Sequence, residues 1–219
     1  MKINTIQLWI KTSEDIASNG NKLRGYIGNE FKEYNLLHNH FDDTKYLFSY
    51  PLIQYKIIDG KALILGIDEG VDLIKKIYPD IDNMKLEKDY EIEEKIMREK
   101  LYDIKPTTEE RSYKFISPWL GLNKNNYENF KALESWKEKK QLLNKIIVGN
   151  ILSMSKGLGI VVNKRLYAKS HLDFKMVKYK SIHMTGFEGE FKVHYDIPDY
   201  FGIGKGSSHG FGCVKRIIK

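Results

Sequence analysis

The chain has 219 residues, 42% hydrophobic and 30% charged, which excludes a disordered polymer and allows a core without disulfide staples. The single cysteine, Cys213, excludes a disulfide framework and a multi-cysteine zinc site. No apolar run approaches the roughly 18 residues of a membrane span, and the opening MKINTIQLWIKTSEDI lacks a signal-peptide pattern, so a cytoplasmic protein is expected.

The net charge of +7 is unevenly spread. Residues 1–110 hold 16 Lys and Arg against 21 Asp and Glu, a net of −5, whereas residues 111–219 hold 20 against 8, a net of +12. This split points to a polyanion partner for the second half; nucleic acid and an anionic membrane surface both qualify. A lysine-rich coding bias would raise lysine in both halves.

Residues 3–10 (INTIQLWI) read as a strand, and Asn19 caps a helix with Leu23, Tyr26, Ile27, Phe31 and Tyr34 on one face. Lys45–Ile58 reads as strand, and Asp59-Gly60 as a two-residue hairpin turn into Lys61–Gly66. Asp68 starts a second helix through Ile77, with Pro79 after it, and a further strand is expected within 85–104. This β-α-β-β-α-β order is the ferredoxin-like pattern, predicted for a first domain over 1–106. Pro106-Thr-Thr-Glu-Glu110 reads as a polar linker to a second domain, 111–219, that repeats the theme loosely. Its elements are a strand at Tyr113–Ile116 limited by Pro118, a short helix at Tyr127–Trp136, and a longer helix from Lys139 to Lys156. The longer helix buries Leu142, Leu143, Ile146, Ile147 and Ile151 and stops at Gly157. Paired strands at Phe174–Ile182 and Phe187–Ile197 and a closing strand at Phe211–Ile218 follow. The fold class is α+β, two tandem ferredoxin-like (RRM-like) domains.

The most distinctive stretch is Gly202-Ile-Gly-Lys-Gly-Ser-Ser-His-Gly-Phe-Gly212. Glycines at 202, 204, 206, 210 and 212 let a backbone approach a ligand closely and turn amides outward toward an anion, with Lys205, Ser207, Ser208 and His209 adding donors. A dinucleotide fingerprint needs a following helix, for which too little chain remains, and in a P-loop the lysine follows the glycine that Lys205 here precedes. Phosphate-backbone contact and a tight loop before an edge strand are the readings left. His209 reads as a contact residue, with a second acid or base as its alternative.

His38-Asn39-His40 is the second feature. In extended chain, residues i and i+2 lie roughly 6.5–7 Å apart, a span that can bracket one phosphodiester. One imidazole can take the proton of an attacking 2′-hydroxyl and the other can protonate the departing 5′-oxygen. Tyr34, Lys45, Tyr46 and Tyr50 are near in sequence as donors to the phosphate oxygens. Two ordinary surface histidines, or a metal pair completed by Asp42 and Asp43, are the alternatives. Lys164, Arg165 and Lys169, and Lys175, Lys178 and Lys180, interleave with Tyr167, Phe174 and Tyr179. That mixture suits single-stranded RNA, or a solvated strand face. His171, His183, His194, Ser153 and Ser155 read as ordinary structural or surface residues.

Together these residues resemble the CRISPR-associated endoribonucleases that process precursor CRISPR RNA, of the RAMP superfamily. The segments Tyr113-Lys-Phe-Ile-Ser-Pro-Trp-Leu-Gly-Leu-Asn-Lys-Asn-Asn-Tyr127 and Leu142-Leu-Asn-Lys-Ile-Ile-Val-Gly-Asn-Ile-Leu-Ser-Met-Ser-Lys-Gly-Leu-Gly159 are similar to the C-terminal domain of the type I-B subtype. The resemblance implies two ferredoxin-like domains with RNA in a basic cleft. It implies cleavage within repeats by the 2′-hydroxyl, without metal or cofactor, leaving a 5′-hydroxyl and a 2′,3′-cyclic or 3′-phosphate. His38 and His40 match the family's catalytic position, Lys45 and Tyr46 are further catalytic candidates, and the glycine loop with Lys164, Arg165 and Lys169 is the RNA-binding set. CRISPR repeat RNA is the expected partner. A second copy of the chain and an effector complex are candidate partners, and no membrane partner is expected. A catalytically inactive repeat-RNA-binding subunit is the alternative; a DNA-binding regulator lacks a helix-turn-helix.

Overall fold

The computed structural model describes all residues except 39, 43, 44, 47–49, 180 and 219, and no side chains at 38, 40–42, 45 and 46. The chain divides into two compact units: Lys2–Asp103 with Ser208–Gly210, and Met1 with Ile104–Ser207 and Phe211–Lys219.

The first unit begins with β1 (Lys2–Thr12), whose Ile6, Leu8 and Ile10 alternate into the core. α1 (Gly20–Glu30) starts where expected: the Asn19 side chain accepts from the amides of Asn21 and Lys22. α2 (Asn35–His38), β2 (His40–Asp42) and β3 (Lys45–Tyr46) precede β4 (Ile53–Ile58). The single strand expected over Lys45–Ile58 is therefore two, and Pro51, with no amide hydrogen for a ladder, lies between them. Asp59 and Gly60, at φ 48° and 71°, make the mirror-image turn that matches strand twist, and β5 (Lys61–Ile67) returns along β4. α3 (Glu69–Ile77) follows Asp68, whose side chain makes no hydrogen bond to the helix's own amides. Its carboxylate accepts from the Asn4 amide at 3.0 Å, tying the helix start to β1. β6 (Asn83–Lys85) and the 15-residue β7 (Asp89–Asp103) complete the unit. The antiparallel sheet runs β4-β5-β1-β7-β6, and α1 and α3 bury Leu23, Ile27, Val71 and Ile74 against one face.

The second unit starts at once. Pro106–Glu110 is not a linker but the first part of β8 (Pro106–Trp119). The strand pairs there with the strand that ends at Tyr195, and charged rather than apolar side chains line it: Glu110 pairs with Lys169 at 3.5 Å and Lys192 at 3.6 Å, and Arg111 with Asp196 at 3.3 Å. Pro118 does not end this strand; it lies at the irregularity where Gly189 faces Phe115 and Phe187 faces Trp119. α4 (Lys124–Ala132) is followed by α5 (Trp136–Gly157), which opens with a capping box of Ser135 and Glu138. β9 (Ala168–Tyr179), β10 (Ile182–Tyr195) and β11 (Val214–Arg216) give the sheet order β11-β8-β10-β9. Leu143, Ile147 and Ile151 of α5 are buried, as are Phe115, Trp119, Phe187 and Phe191 of the sheet. Both units are ferredoxin-like, but between β10 and β11, where the pattern has its second helix, this chain has the glycine stretch with one 3-10 turn, Ser207–His209.

Candidate functional site

The two histidines sit at the junction of short elements: α2 ends at His38 and His40 opens β2. β2 pairs with β3, with His40 opposite Tyr46 and Asp42 opposite Lys45. The side chains of His38, His40, Lys45 and Tyr46 lie outside the described residues.

The backbone entering His38 is anchored. Leu37 is buried, and its carbonyl accepts from the hydroxyl of Tyr55 on β4 at 3.2 Å. Burial pushes that hydroxyl far above the ordinary tyrosine range, and the nearby Arg24 charge works against the shift. At neutral pH it therefore stays a donor.

The glycine stretch brings its tip to α1. A Cβ at Gly20, the first residue of the helix, would lie 2.2 Å from the Tyr55 carbonyl oxygen and 2.7 Å from that of His209. Only a glycine leaves room for these backbones to close on the helix start. The His209 ring then meets α1 with both nitrogens: Nδ1 is 2.7 Å from Asn21 Oδ1, and Nε2 meets the Arg24 guanidinium. A guanidinium can only donate, so Nε2 is the acceptor and the proton is on Nδ1, directed at Asn21. Beside it an open groove of 590 Å³ runs along α1, lined among others by Lys22, Arg24, Asn29, Glu30 and Lys85.

In the second unit the rest of the stretch is bonded inward. The Ile203 amide donates to Gly212 O at 2.9 Å, Gly212 to Pro118 O at 2.9 Å, Lys205 to Leu120 O at 3.0 Å and Phe211 to Gly206 O at 3.2 Å. These four amides shape the loop rather than forming an outward cradle. Gly204 packs under a hydrogen bond from Trp119 Nε1 to Asn150 Oδ1 of 2.9 Å: an added methyl would lie 2.7 and 2.8 Å from those two atoms. Gly206 lies against Tyr179 and Phe211, and Gly202 against Ser207. Ser207 is buried there; Ser208 and Gly210 belong to the first unit, where Ser208 is buried and Gly210 closes against the Tyr55 carbonyl. The Lys205 side chain remains exposed, its ammonium 5.4 Å from the centre of the Tyr179 ring.

Lys164, Arg165 and Lys169 form an exposed basic group entering β9. Arg165 lies over the Tyr167 ring at 5.3 Å, the cation-aromatic mixture anticipated for stacked bases and phosphates. Among the described residues no cluster of three His, Cys, Asp or Glu side chains is placed to hold a metal ion, and no helix is long and apolar enough to cross a membrane. The sequence reading omitted Asn21, Arg24 and Tyr55. Arg24 is one polar position on a helix, and its contact is 185 residues away in the chain.

Comparisons with known proteins agree across the chain. Residues 1–103 match the Cas6b N-terminal domain and residues 105–217 the Cas6b C-terminal domain. A crystal structure of Cas6b is 31% identical, with 99% of this chain and 100% of that one covered and a TM-score of 0.90. A second crystal structure, of the CRISPR RNA processing endoribonuclease Cas6b, is 32% identical over 99% and 100% of the two chains, with a TM-score of 0.79. A protein of Methanocaldococcus jannaschii, itself uncharacterized, is 52% identical over 107 residues, 48% of this chain and 71% of its own. A RAMP protein binding different RNA substrates, 15% identical over the whole of both chains with a TM-score of 0.55, shares the fold. Fold and comparisons together define a protein of paired ferredoxin-like units, each matched by its own family domain. Within that class the chain belongs to the Cas6b family of CRISPR RNA processing endoribonucleases.

Proposed function

We propose that the chain cleaves CRISPR precursor RNA within its repeats, in the cytoplasm and without metal or cofactor, by attack of the 2′-hydroxyl on the adjacent phosphate. The products are a 5′-hydroxyl and a 2′,3′-cyclic or 3′-phosphate. His38 and His40 divide the roles of base and acid; Lys45 and Tyr46 donate to the phosphate oxygens. The observation that carries this reading is the register: in a Cas6b chain, His40 stands opposite Tyr46 on a two-stranded ribbon two residues after α2 delivers His38. Imidazoles exchange protons near neutral pH, as both transfers require. Lys205, the glycine loop (Gly202, Gly204, Gly206, Ser207, Ser208, His209, Gly210 and Gly212) and Lys164, Arg165 and Lys169 hold the RNA; the glycines act by shaping the loop.

The test is to incubate the full chain with a CRISPR repeat RNA in excess EDTA. Cleavage giving a 3′ fragment that polynucleotide kinase labels without prior phosphatase treatment supports the reading. An RNA shifted on a native gel but left whole would make the chain a binding subunit instead.

A further inference from the structure

We propose that an exposed aromatic face on the second unit, carried by Trp136, Phe174 and Met176, is a stacking platform for unpaired nucleotides of the RNA. The proposal rests on the reading of repeat RNA as the chain's partner. It gives that RNA a contact apart from the basic group, the glycine loop and the histidine pair.

Three observations carry it. The first is where the face lies. On β9, Ser170, Leu172, Phe174 and Met176 are two residues apart and so point to one side of the sheet. α5 covers the start of that row: Leu172 is buried, and the Ser170 amide donates to Asn144 Oδ1 at 2.9 Å. The next two members are open, Phe174 55% and Met176 56% exposed. Phe174 stands opposite Phe187 of β10, and Phe130 of α4 packs edge-on to Phe187 at 5.6 Å. Trp136, the first residue of α5, packs edge-on to Phe130 at 6.3 Å and is itself 53% exposed. A run of rings thus crosses the unit's surface, buried at Phe187 and open at both ends.

The second is that local structure does not call for these open rings. The start of α5 is fixed by the Ser135–Glu138 capping box, which would form with a polar residue at Trp136. Scattered apolar side chains on a surface need no partner, but a contiguous set marks a contact surface.

The third is charge, which selects the occupant. The Lys139 ammonium lies 5.4 Å from the centre of the Phe130 ring, and that of Lys131 lies 5.3 Å from the centre of the exposed Tyr127 ring. Lys178, the next member of the β9 row after Met176, is exposed. Between 124 and 140 five lysines stand against three glutamates. Of these, Glu138 is tied to Ser135 in the cap and Glu128 is 3.8 Å from Lys131. Rings bordered by cations fit a ligand whose bases stack and whose phosphates pair with lysine. A second copy of the chain would set these lysines against one another. A duplex keeps its base faces inside its own stack, so the ligand that fits is a single strand.

The test measures binding of the full chain, in EDTA, to a repeat RNA with one 2′-deoxy residue at the cut. Trp136→Ala and Phe174→Ala are each expected to weaken binding about tenfold. The slope of log Kd against log salt should stay as in the wild type, because no phosphate partner is removed. Trp136→Phe, which keeps a ring, should lose much less. In a series of RNAs each lacking one base, one member should bind the wild type and Trp136→Ala equally, since the stacked pair is already broken. If Phe174→Ala melts early, Trp136→Ala carries the test alone, its capping box intact. Wild-type affinity in the folded variants overturns the proposal while repeat RNA remains the partner. Unchanged RNA affinity with a lower sedimentation coefficient for Trp136→Ala would make the face a contact between copies, and overturns it as well. A wild-type chain that binds no repeat RNA overturns both this proposal and the functional reading beneath it.

Discussion

Tyr113 ties two backbone groups at the point where β10 leaves its sheet. Its hydroxyl donates to Tyr195 O at 2.9 Å and accepts from the Ile197 amide at 2.8 Å. Tyr113→Phe leaves both buried groups unmatched and is expected to cost about 1–3 kcal/mol, read as a lower urea midpoint. Burial pushes this hydroxyl up to about 12, with the neighbouring Asp196 charge a smaller contributor. An unfolded tyrosine ionises near its ordinary value of about 10. Below that pH the phenol is protonated in both states and contributes no pH dependence. Between about 10 and 12 the unfolded chain has released a proton that the folded chain still holds, so stability falls as pH rises. The urea midpoint of the wild type should drop over this window, and that of Tyr113→Phe should drop less. Gly212 is a second sensitive residue. At φ 61° an alanine Cβ would lie 2.0 Å from the Ile203 carbonyl oxygen. Gly212→Ala is expected to cost at least about 3 kcal/mol, strain and overpacking together. Thermal melting distinguishes this from lost RNA contact, which would leave the melting point unchanged.

At the scale of elements, the parts that were legible have strong local signals. The Asn19 cap, the Asp59-Gly60 turn and the apolar period of α5 each name their own structure. Ser135 illustrates the size of such signals: its hydroxyl accepts from the Glu138 amide at 3.2 Å, and Ser135→Ala should cost about 1 kcal/mol, a shift of a few degrees in melting temperature. Pro106–Glu110 was hidden because its side chains are polar, Glu110 pairing with Lys169 and Lys192, and leave no apolar alternation to read. β7 was blurred for the same reason, its Glu and Lys side chains facing solvent while its backbone pairs with β1 over its whole middle. The missing second crossover helix was foreshadowed by its glycines, which are poor helix formers. At the candidate site, the histidine pair and the glycine stretch were legible as motifs. The Arg24–His209–Asn21 set was not, because nothing local in α1 announces a partner so distant in the chain.

For the whole molecule, the uneven charge makes a quantitative claim. Phosphates neutralised by lysine and arginine release counterions, so affinity for RNA should fall steeply with salt. Lys164 and Arg165 are exposed, whereas Lys169 is shared with Glu110 at 3.5 Å. Replacing all three by alanine should therefore flatten the slope of log Kd against log salt by about 2 rather than about 3, without altering the cleavage rate at saturation. An unchanged slope would remove this group from the RNA path.

The central claim is that the RNA's own 2′-hydroxyl is the nucleophile and that the histidine pair moves its proton. The most direct measurement is single-turnover cleavage in EDTA of two repeat RNAs that differ only by a 2′-deoxy residue immediately 5′ of the cut. The wild-type chain should cut the all-ribose RNA and leave the deoxy RNA whole, and His40→Ala should cut the all-ribose RNA at least about 10²-fold more slowly. Cleavage of the deoxy RNA at the all-ribose rate would contradict the account, because the bond would then be breaking without the group assigned to break it.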